Sequence, residues 1–342
     1  MKTVYVGLSG GVDSSVTAAL LIKQGYNVVG VYMKNWSQDL PGMPCPWRDD
    51  FTDAKRVAVQ LGIDFKMYDF EKDYKQKVVD YMLDEFKAGR TPNPDIMCNQ
   101  EIKFKLFLNT ALEDGADLVA TGHYAKTTGG RLFMAADDNK DQTYFLYRVT
   151  KEALSKTLFP LGDLTKPQVR QLAKKFGLVT ATKKESMGIC FVGKVGIKEF
   201  LEQYIDKQPG AIIDQNGLEV GQHDGAIFYT IGQRQGLHVG GGLPFYVTGK
   251  NMAKNEVYVT TDLQDEKLWK REIKLTDIHW INDAPAKGQK LMVRTRHRAK
   301  LIPVKSFKDN VAELDEEVRA LTPGQSAVFY SGDECLGGGI VI

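Results

Sequence analysis

At 342 residues the chain exceeds what one ordinary hydrophobic core serves, so two or three domains are expected. Its 43% hydrophobic and 26% charged residues describe a soluble globular protein, and no run approaches the ~20 apolar residues of a membrane span. Forty-five Lys and Arg against 43 Asp and Glu leave a net charge of only +2, which confines any nucleic-acid site to a local patch. The N-terminus enters a strand directly, without a secretory pattern, so a cytoplasmic location and no membrane partner are expected. Cys45, Cys98, Cys190 and Cys335 form no C-x-x-C pair, and the histidines form no HxxxH or HExxH group. No metal-ligand set is therefore expected.

Apolar runs at 3–8, 28–33, 65–69 and 117–121 read as strands, with helical patterns between them at about 15–25, 50–62, 71–88 and 99–114. This βαβ repeat predicts a parallel sheet covered by helices on both faces, with ligands outside the carboxyl ends of its strands. Gly7-Leu8-Ser9-Gly10-Gly11-Val12-Asp13-Ser14 falls at one such end, as do Met33 and Gly122-His123. A strand, a glycine-rich turn and a helix start make a phosphate cradle, because amides at a helix N-terminus point at the anion. The Gly-Lys-Ser/Thr of a Walker A loop is absent.

Further along, Thr91-Pro92-Asn93-Pro94-Asp95-Ile96-Met97-Cys98-Asn99 precedes a strong helical pattern at 100–113, for which Asn99 is the expected N-cap. Cys98 would then lie at the positive end of a helix dipole with Lys103 and Lys105 nearby, a setting that favours thiolate. Asp95, one turn earlier, could serve that sulfur as general acid or base. Thr165-Lys166-Pro167-Gln168 is a helix start, a Thr cap with Gln three residues on, and Gly177 supplies the stop. Cys190 lies between Gly188 and Gly193 in a segment without helical pattern; local sequence leaves open a packed loop residue or a thiol that moves between donor and site. Cys45 and Cys335 read as structural.

The texture changes at Asp206-Lys207-Gln208-Pro209-Gly210, and after about residue 268 only strands are expected, at 273–281, 290–296, 301–307, 325–330 and 335–342. We therefore expect an α/β domain over 1–205, a small mixed linking domain over 206–267 and a β-barrel over 268–342. On the strand around 294–300, Arg294, Arg296, Arg298 and Lys300 would line one face, at a repeat suited to a phosphate backbone. Trp269 and Trp280 read as core.

Ser-Gly-Gly-x-Asp-Ser resembles the pyrophosphatase loop of the ATP pyrophosphatases. Together with the NPDxxCN segment, Gly122-His123-Tyr124, Asp141-Gln142-x-Tyr144-Phe145-Leu146, Gly188-Ile189-Cys190-Phe191, Thr230-Ile231-Gly232-Gln233-Arg234-Gln235-Gly236-Leu237 and Thr322-Pro323-Gly324-Gln325, it resembles the tRNA-specific 2-thiouridylases in order along the whole chain. The resemblance implies an adenine nucleotide α-hydrolase-like, Rossmann-like N-terminal domain. It further implies a sulfurtransferase that adenylates the carbon-2 oxygen of a tRNA wobble uridine and replaces it with sulfur. ATP, with Mg²⁺, would lie on Gly7, Leu8, Ser9, Gly10, Gly11, Val12, Asp13, Ser14, Met33 and Gly122. Cys190 would carry a persulfide received from a cysteine desulfurase or relay protein. Cys98 would be the second thiol, assisted by Asp95, and either frees hydrosulfide or closes a Cys98–Cys190 disulfide. The target base would meet Asn93, Pro94 and Asp95; further contacts to the anticodon arm would fall on His123, Lys140, Asp141, Gln142, Arg296, His297 and Gln325. Two rivals remain at this point: a carboxylate-adenylating amide ligase, and an RNA-binding module whose nucleotide loop is only a switch.

Overall fold

The computed structural model describes residues 1–39, 45–184, 196–240 and 242–342. The first sheet is wholly parallel. It is built from β1 (Thr3–Gly7), β2 (Asn27–Lys34), β3 (Asp64–Asp69) and β4 (Leu118–Ala120), plus a two-residue strand, Thr157–Leu158, in the order β3-β2-β1-β4-157–158. Central β1 is buried on both faces, which is why it reads as an unbroken apolar run rather than an alternation. Val4 and Val6 pack under Ala18 and Leu21 of α1 (Val12–Lys23) and Ala54 and Ala58 of α2 (Trp47–Leu61). Tyr5 faces the opposite core, with Val79, Met82, Ile102 and Phe107. The fifth strand was not expected from sequence, since two residues carry no periodicity.

A second sheet joins Tyr246–Asn251, Glu256–Thr260, Gly210–Ile213 and Glu219–His223. The C-terminal part is a six-stranded antiparallel barrel, closed where Trp269–Trp280 pairs with Glu334–Val341. Ile273, Val293, Leu314, Ala327 and Phe329 fill it. Strand Val311–Arg319 was missing from the sequence reading, because its Glu313, Asp315, Glu316 and Glu317 mask the buried Ala312, Leu314 and Val318. Trp280 packs between Phe307 and Phe329 in this core, while the Trp269 indole donates to the Leu263 carbonyl from a half-buried position. Among the described residues, no helix is long and apolar enough to cross a membrane.

The barrel and the parallel-sheet domain are sewn together. A hairpin of the N-terminal domain, Lys126–Thr128 and Arg131–Phe133, extends the barrel's sheet by pairing Leu132 with Cys335 and Phe133 with Glu334. Tyr144 donates its hydroxyl to the carbonyls of Thr295 and Ser326, and the Tyr147 hydroxyl meets Ser326 Oγ at 3.0 Å. Both tyrosines are fully buried, so the two domains share one continuous interior.

Candidate active site

The glycine loop leaves β1 and turns into α1 at Val12, three residues earlier than the sequence pattern suggests. Gly11 precedes the helix in extended conformation, with no side chain to cap the first turn, so the amides of Val12, Asp13 and Ser14 have no partner within the helix. Gly10 adopts a φ of +72°, and a Cβ there would stand 2.4 Å from the Asp50 carbonyl oxygen, so only glycine closes this turn. The Ser14 hydroxyl accepts from the Ser9 amide at 3.2 Å and donates to the Gly11 carbonyl, locking the loop on itself. Met33, at the carboxyl end of β2, lays its methyl over Gly7, and Gly122, just past β4, abuts the Ser14 amide so closely that a Cβ would meet it at 2.8 Å. All ten residues expected around a nucleotide therefore meet at one end of the sheet.

Lys166 was read from sequence only as part of a helix start. Its ammonium donates to Asp13 Oδ1 and Oδ2 at 2.8 and 2.7 Å, and the Tyr124 hydroxyl adds a bond to Oδ1 at 2.9 Å. The early position of Lys166 in helix Lys166–Lys175, whose capping box forms as expected from Thr165 and Gln168, aims it at the loop.

The cysteine helix starts earlier than the sequence reading placed it. Asn93, not Asn99, is the N-cap: its side chain accepts from the Asp95 amide at 3.1 Å, with Pro94 at the first helical position. The chain is helical from Pro94–Met97 through a π-helical stretch, Cys98–Leu106, into Phe107–Glu113. Cys98 thus sits in the second turn, 3% exposed, and Asp95 lies three residues before it on the same face. Asn99 is buried and donates to the Phe145 carbonyl instead. Wide π-turns recur at functional sites because they re-aim side chains.

The two lysines of this helix part company. Lys105 pairs with Glu101 at the surface, 2.9 Å away, whereas Lys103 turns inward to His123, with Nζ 3.4 Å from Nε2. An ammonium can only donate, so Nε2 is the acceptor and Nδ1 carries the proton, donated to Thr121 Oγ1 at 2.7 Å. Burial, reinforced by the Lys103 charge, pushes the His123 pKa well below 6.5 and keeps the ring neutral. Burial also pushes the Asp95 carboxyl up, and Lys103 pulls it part of the way back. Thr121-Gly122-His123 consequently touches both halves of the site: Gly122 the glycine loop, His123 the cysteine helix. Cys190 lies outside the described residues, and with it the Cys98–Cys190 pairing. Cys45 is half-buried and Cys335 fully so, and burial raises both thiols.

Residues 2–194 match the tRNA methyl transferase HUP domain family, 198–261 the tRNA methyl transferase PRC-barrel domain family and 270–341 the aminomethyltransferase beta-barrel domain family. The tRNA-specific 2-thiouridylase MnmA of Bacillus cytotoxicus is 49% identical over 99% of this chain and 94% of its own. The chain belongs to the tRNA-specific 2-thiouridylase family. The 2-thiouridylase of Bacillus subtilis strain 168 is 48% identical with the same coverage. A solved 4-thiouridine synthetase in complex with RNA and ATP overlaps 59% of this chain and 50% of its own at 20% identity and a TM-score of 0.38, too distant for any argument about the site.

For a 2-thiouridylase, the residues expected to meet tRNA are placed unevenly. Asn93, Pro94 and Asp95 line a cavity of about 760 Å³ whose far wall is Phe228, Tyr229 and Gln233 of the middle domain, a size suited to a small ligand. His123 is buried behind the cysteine helix. Asp141 is 1% exposed and holds Arg294 of the barrel at 3.2 Å, while Gln142 accepts from the Tyr124 amide, so both hold the fold together. The basic face expected over 294–300 does not form. The strand ends at Arg294, which is buried against Asp141; Arg296 donates to the carbonyls of Ile231 and Ala320; Arg298, with a φ of +63°, donates to Asn139; Lys300 pairs with Glu316. Positive charge gathers differently, around His297. That ring packs against Phe145 at 4.6 Å with the two planes tilted by 41°, and its pKa falls to about 4 through burial and the charges of Arg298, Arg294 and Lys140. Gln325 points at the cysteine helix, donating to the carbonyls of Thr91 and Pro92.

Proposed function

We propose that this protein converts the wobble uridine of tRNA to 2-thiouridine, consuming ATP and releasing AMP and pyrophosphate. The observation that carries the reading is the segment Thr121-Gly122-His123, which sets the glycine loop and the Cys98 helix against one another. A uracil carbonyl oxygen is a poor leaving group. Attack by that oxygen on the ATP α-phosphorus expels pyrophosphate and turns the oxygen into part of an AMP ester, which leaves readily. The amides at the start of α1 would receive the pyrophosphate oxygens. Mg²⁺ would enter on ATP itself, since Lys166 already holds both oxygens of Asp13.

The target base, flipped out of the anticodon loop, would enter the cavity beside Asn93, Pro94 and Asp95. A persulfide on Cys190, loaded by a cysteine desulfurase or relay protein, supplies the sulfur that displaces AMP from carbon 2. Cys98, with Asp95 as its acid or base, completes the transfer either by freeing hydrosulfide or by forming a transient disulfide with Cys190. Either route ends in that disulfide, and a thiol reductant restores the pair. Lys140, Arg298 and His297 would approach tRNA phosphates. Incubating the protein with a wobble-uridine tRNA, ATP, Mg²⁺ and a sulfide source, then measuring nucleosides by mass, tests the reading. We expect 2-thiouridine in proportion to pyrophosphate; pyrophosphate released without thiolated nucleoside overturns it.

A further inference from the structure

The run Thr230-Ile231-Gly232-Gln233 closes one side of the base cavity and also lies where all three domains meet. The meeting point is Thr91-Pro92, directly ahead of the Asn93 cap. The Thr91 amide donates to the Pro323 carbonyl at 2.8 Å, and Gln325 Nε2 donates to the carbonyls of Thr91 at 2.7 Å and Pro92 at 3.3 Å. From the middle domain, Thr230 Oγ1 meets Thr91 Oγ1 at 3.2 Å. Thr230 is itself fixed, its amide bonded to the Gln233 side chain at 3.0 Å. Arg296 clamps the other side of the junction, donating to Ile231 O, Ala320 O and Thr322 Oγ1. Gly324 has a φ of +90°, and a Cβ there would stand 2.8 Å from the Thr91 amide nitrogen, so the barrel presses directly on this backbone.

Prolines at 92 and 94 restrict the chain on both sides of Asn93, so fixing the carbonyls of 91 and 92 fixes where the helix begins. Asp95 is the second residue of that helix and Cys98 the fifth. We propose that Gln325 is a positioning residue for sulfur transfer: from the barrel it sets Thr91-Pro92, and through them Asp95 and Cys98, while Thr230 of the middle domain steadies the same strut. This rests on the thiolation reading. It gives the two C-terminal domains a share in the reaction beyond any contact they make with RNA.

The test is a split between binding and turnover in the full-length protein. In Gln325→Met, kcat for thiolation falls about tenfold or more, since small displacements of reacting groups carry such costs, while tRNA Kd stays within about twofold. The alkylation rate of Cys98 by iodoacetamide, followed by peptide mass, changes in the same variant without any turnover. Thr230→Val shows the same split more weakly, and the double variant loses less than the product of the two, because both act through Thr91. A raised tRNA Kd with kcat intact at saturating tRNA makes Gln325 an RNA contact and overturns the proposal, as does a Gln325→Met protein with parental kcat. Should Gln325→Met not fold, Thr230→Val decides by the same two criteria. Absence of thiolation in the parent protein counts against the function, not against this junction.

Discussion

Lys166 donates to both carboxylate oxygens of Asp13 although 153 residues separate the two in the chain. The pair lies at the mouth of the glycine loop, with the lysine side chain 11% exposed and the aspartate 32%. Losing one partner of a fully buried pair costs about 3–5 kcal/mol, and the partial exposure of Asp13 reduces this to about 1–2 kcal/mol. Lys166→Met is therefore expected to lower unfolding stability by that amount and to slow tRNA-dependent pyrophosphate release. Urea denaturation and a pyrophosphate assay check it. A variant as stable and as fast as its parent would show that the bond is incidental.

The ion pair between Asp141 and Arg294 makes the contrasting case. Their side chains are 0% and 9% exposed, and they tie the N-terminal domain to the barrel. Arg294→Met leaves a carboxylate in the interior, still bonded by the Thr143 hydroxyl and by the backbone amides of Ala135 and Thr143 but without its counter-charge. A loss of about 3 kcal/mol is expected, partly recovered when Asp141→Asn is added. Denaturant midpoints of the three variants measure this. If Arg294→Met instead weakens tRNA binding at unchanged stability, the pair belongs to the RNA surface and not to the interface.

These two pairs mark the limit of what sequence could show. The strands β1 to β4, the glycine loop and the capped helix at 165 were legible because each depends on neighbours within a few residues. Asp141 and Arg294 looked like polar surface residues, since nothing local announces a partner in another domain. The strand carrying Arg294 stops there, so the alternation expected through Lys300 had no pleat to sit on. Asn99 outcompeted Asn93 as the expected cap because a strong helical pattern follows it, although Pro94 was the better signal for the true start. The hairpin at 126–133 has strands of three residues each, too short for a period of two to declare itself.

Asp95 gives a prediction in which activity and stability part. Burial raises its pKa above 3.8, so the folded chain holds its proton more tightly than the unfolded chain does. Stability therefore falls as pH rises from 3.8 through the raised value and stays at the lower level above it. Asp95→Asn removes that cost. At pH 7 it is expected to be as stable as the parent or more so, while thiolation drops by about 10² or more if the carboxyl moves a proton in the reaction. Denaturation and nucleoside analysis on the same sample settle both halves. Destabilisation beyond about 1 kcal/mol at pH 7 would mean that the carboxylate is held charged by a favourable partner, contrary to the dominance of burial.

The histidines carry the opposite sign. His123, His223, His279 and His297 are all pushed below 6.5 chiefly by burial, His297 to about 4. For a depressed histidine the unfolded chain binds the extra proton, so the stability is fully present above pH 6.5 and drains away as pH falls toward the folded value. Each deeply buried ring such as His123 contributes up to about 1.4 kcal/mol per pH unit in that window. Urea midpoints at pH 7.5, 6.0 and 5.0 are expected to fall steeply below 6.5. His297→Gln, which cannot take up the proton, is expected to fall less steeply because one of the four titrations is gone. A Gln variant that tracks the parent at every pH would locate the acid sensitivity in the other three rings and show that His297 is protonated at little cost beside Arg298 and Lys140.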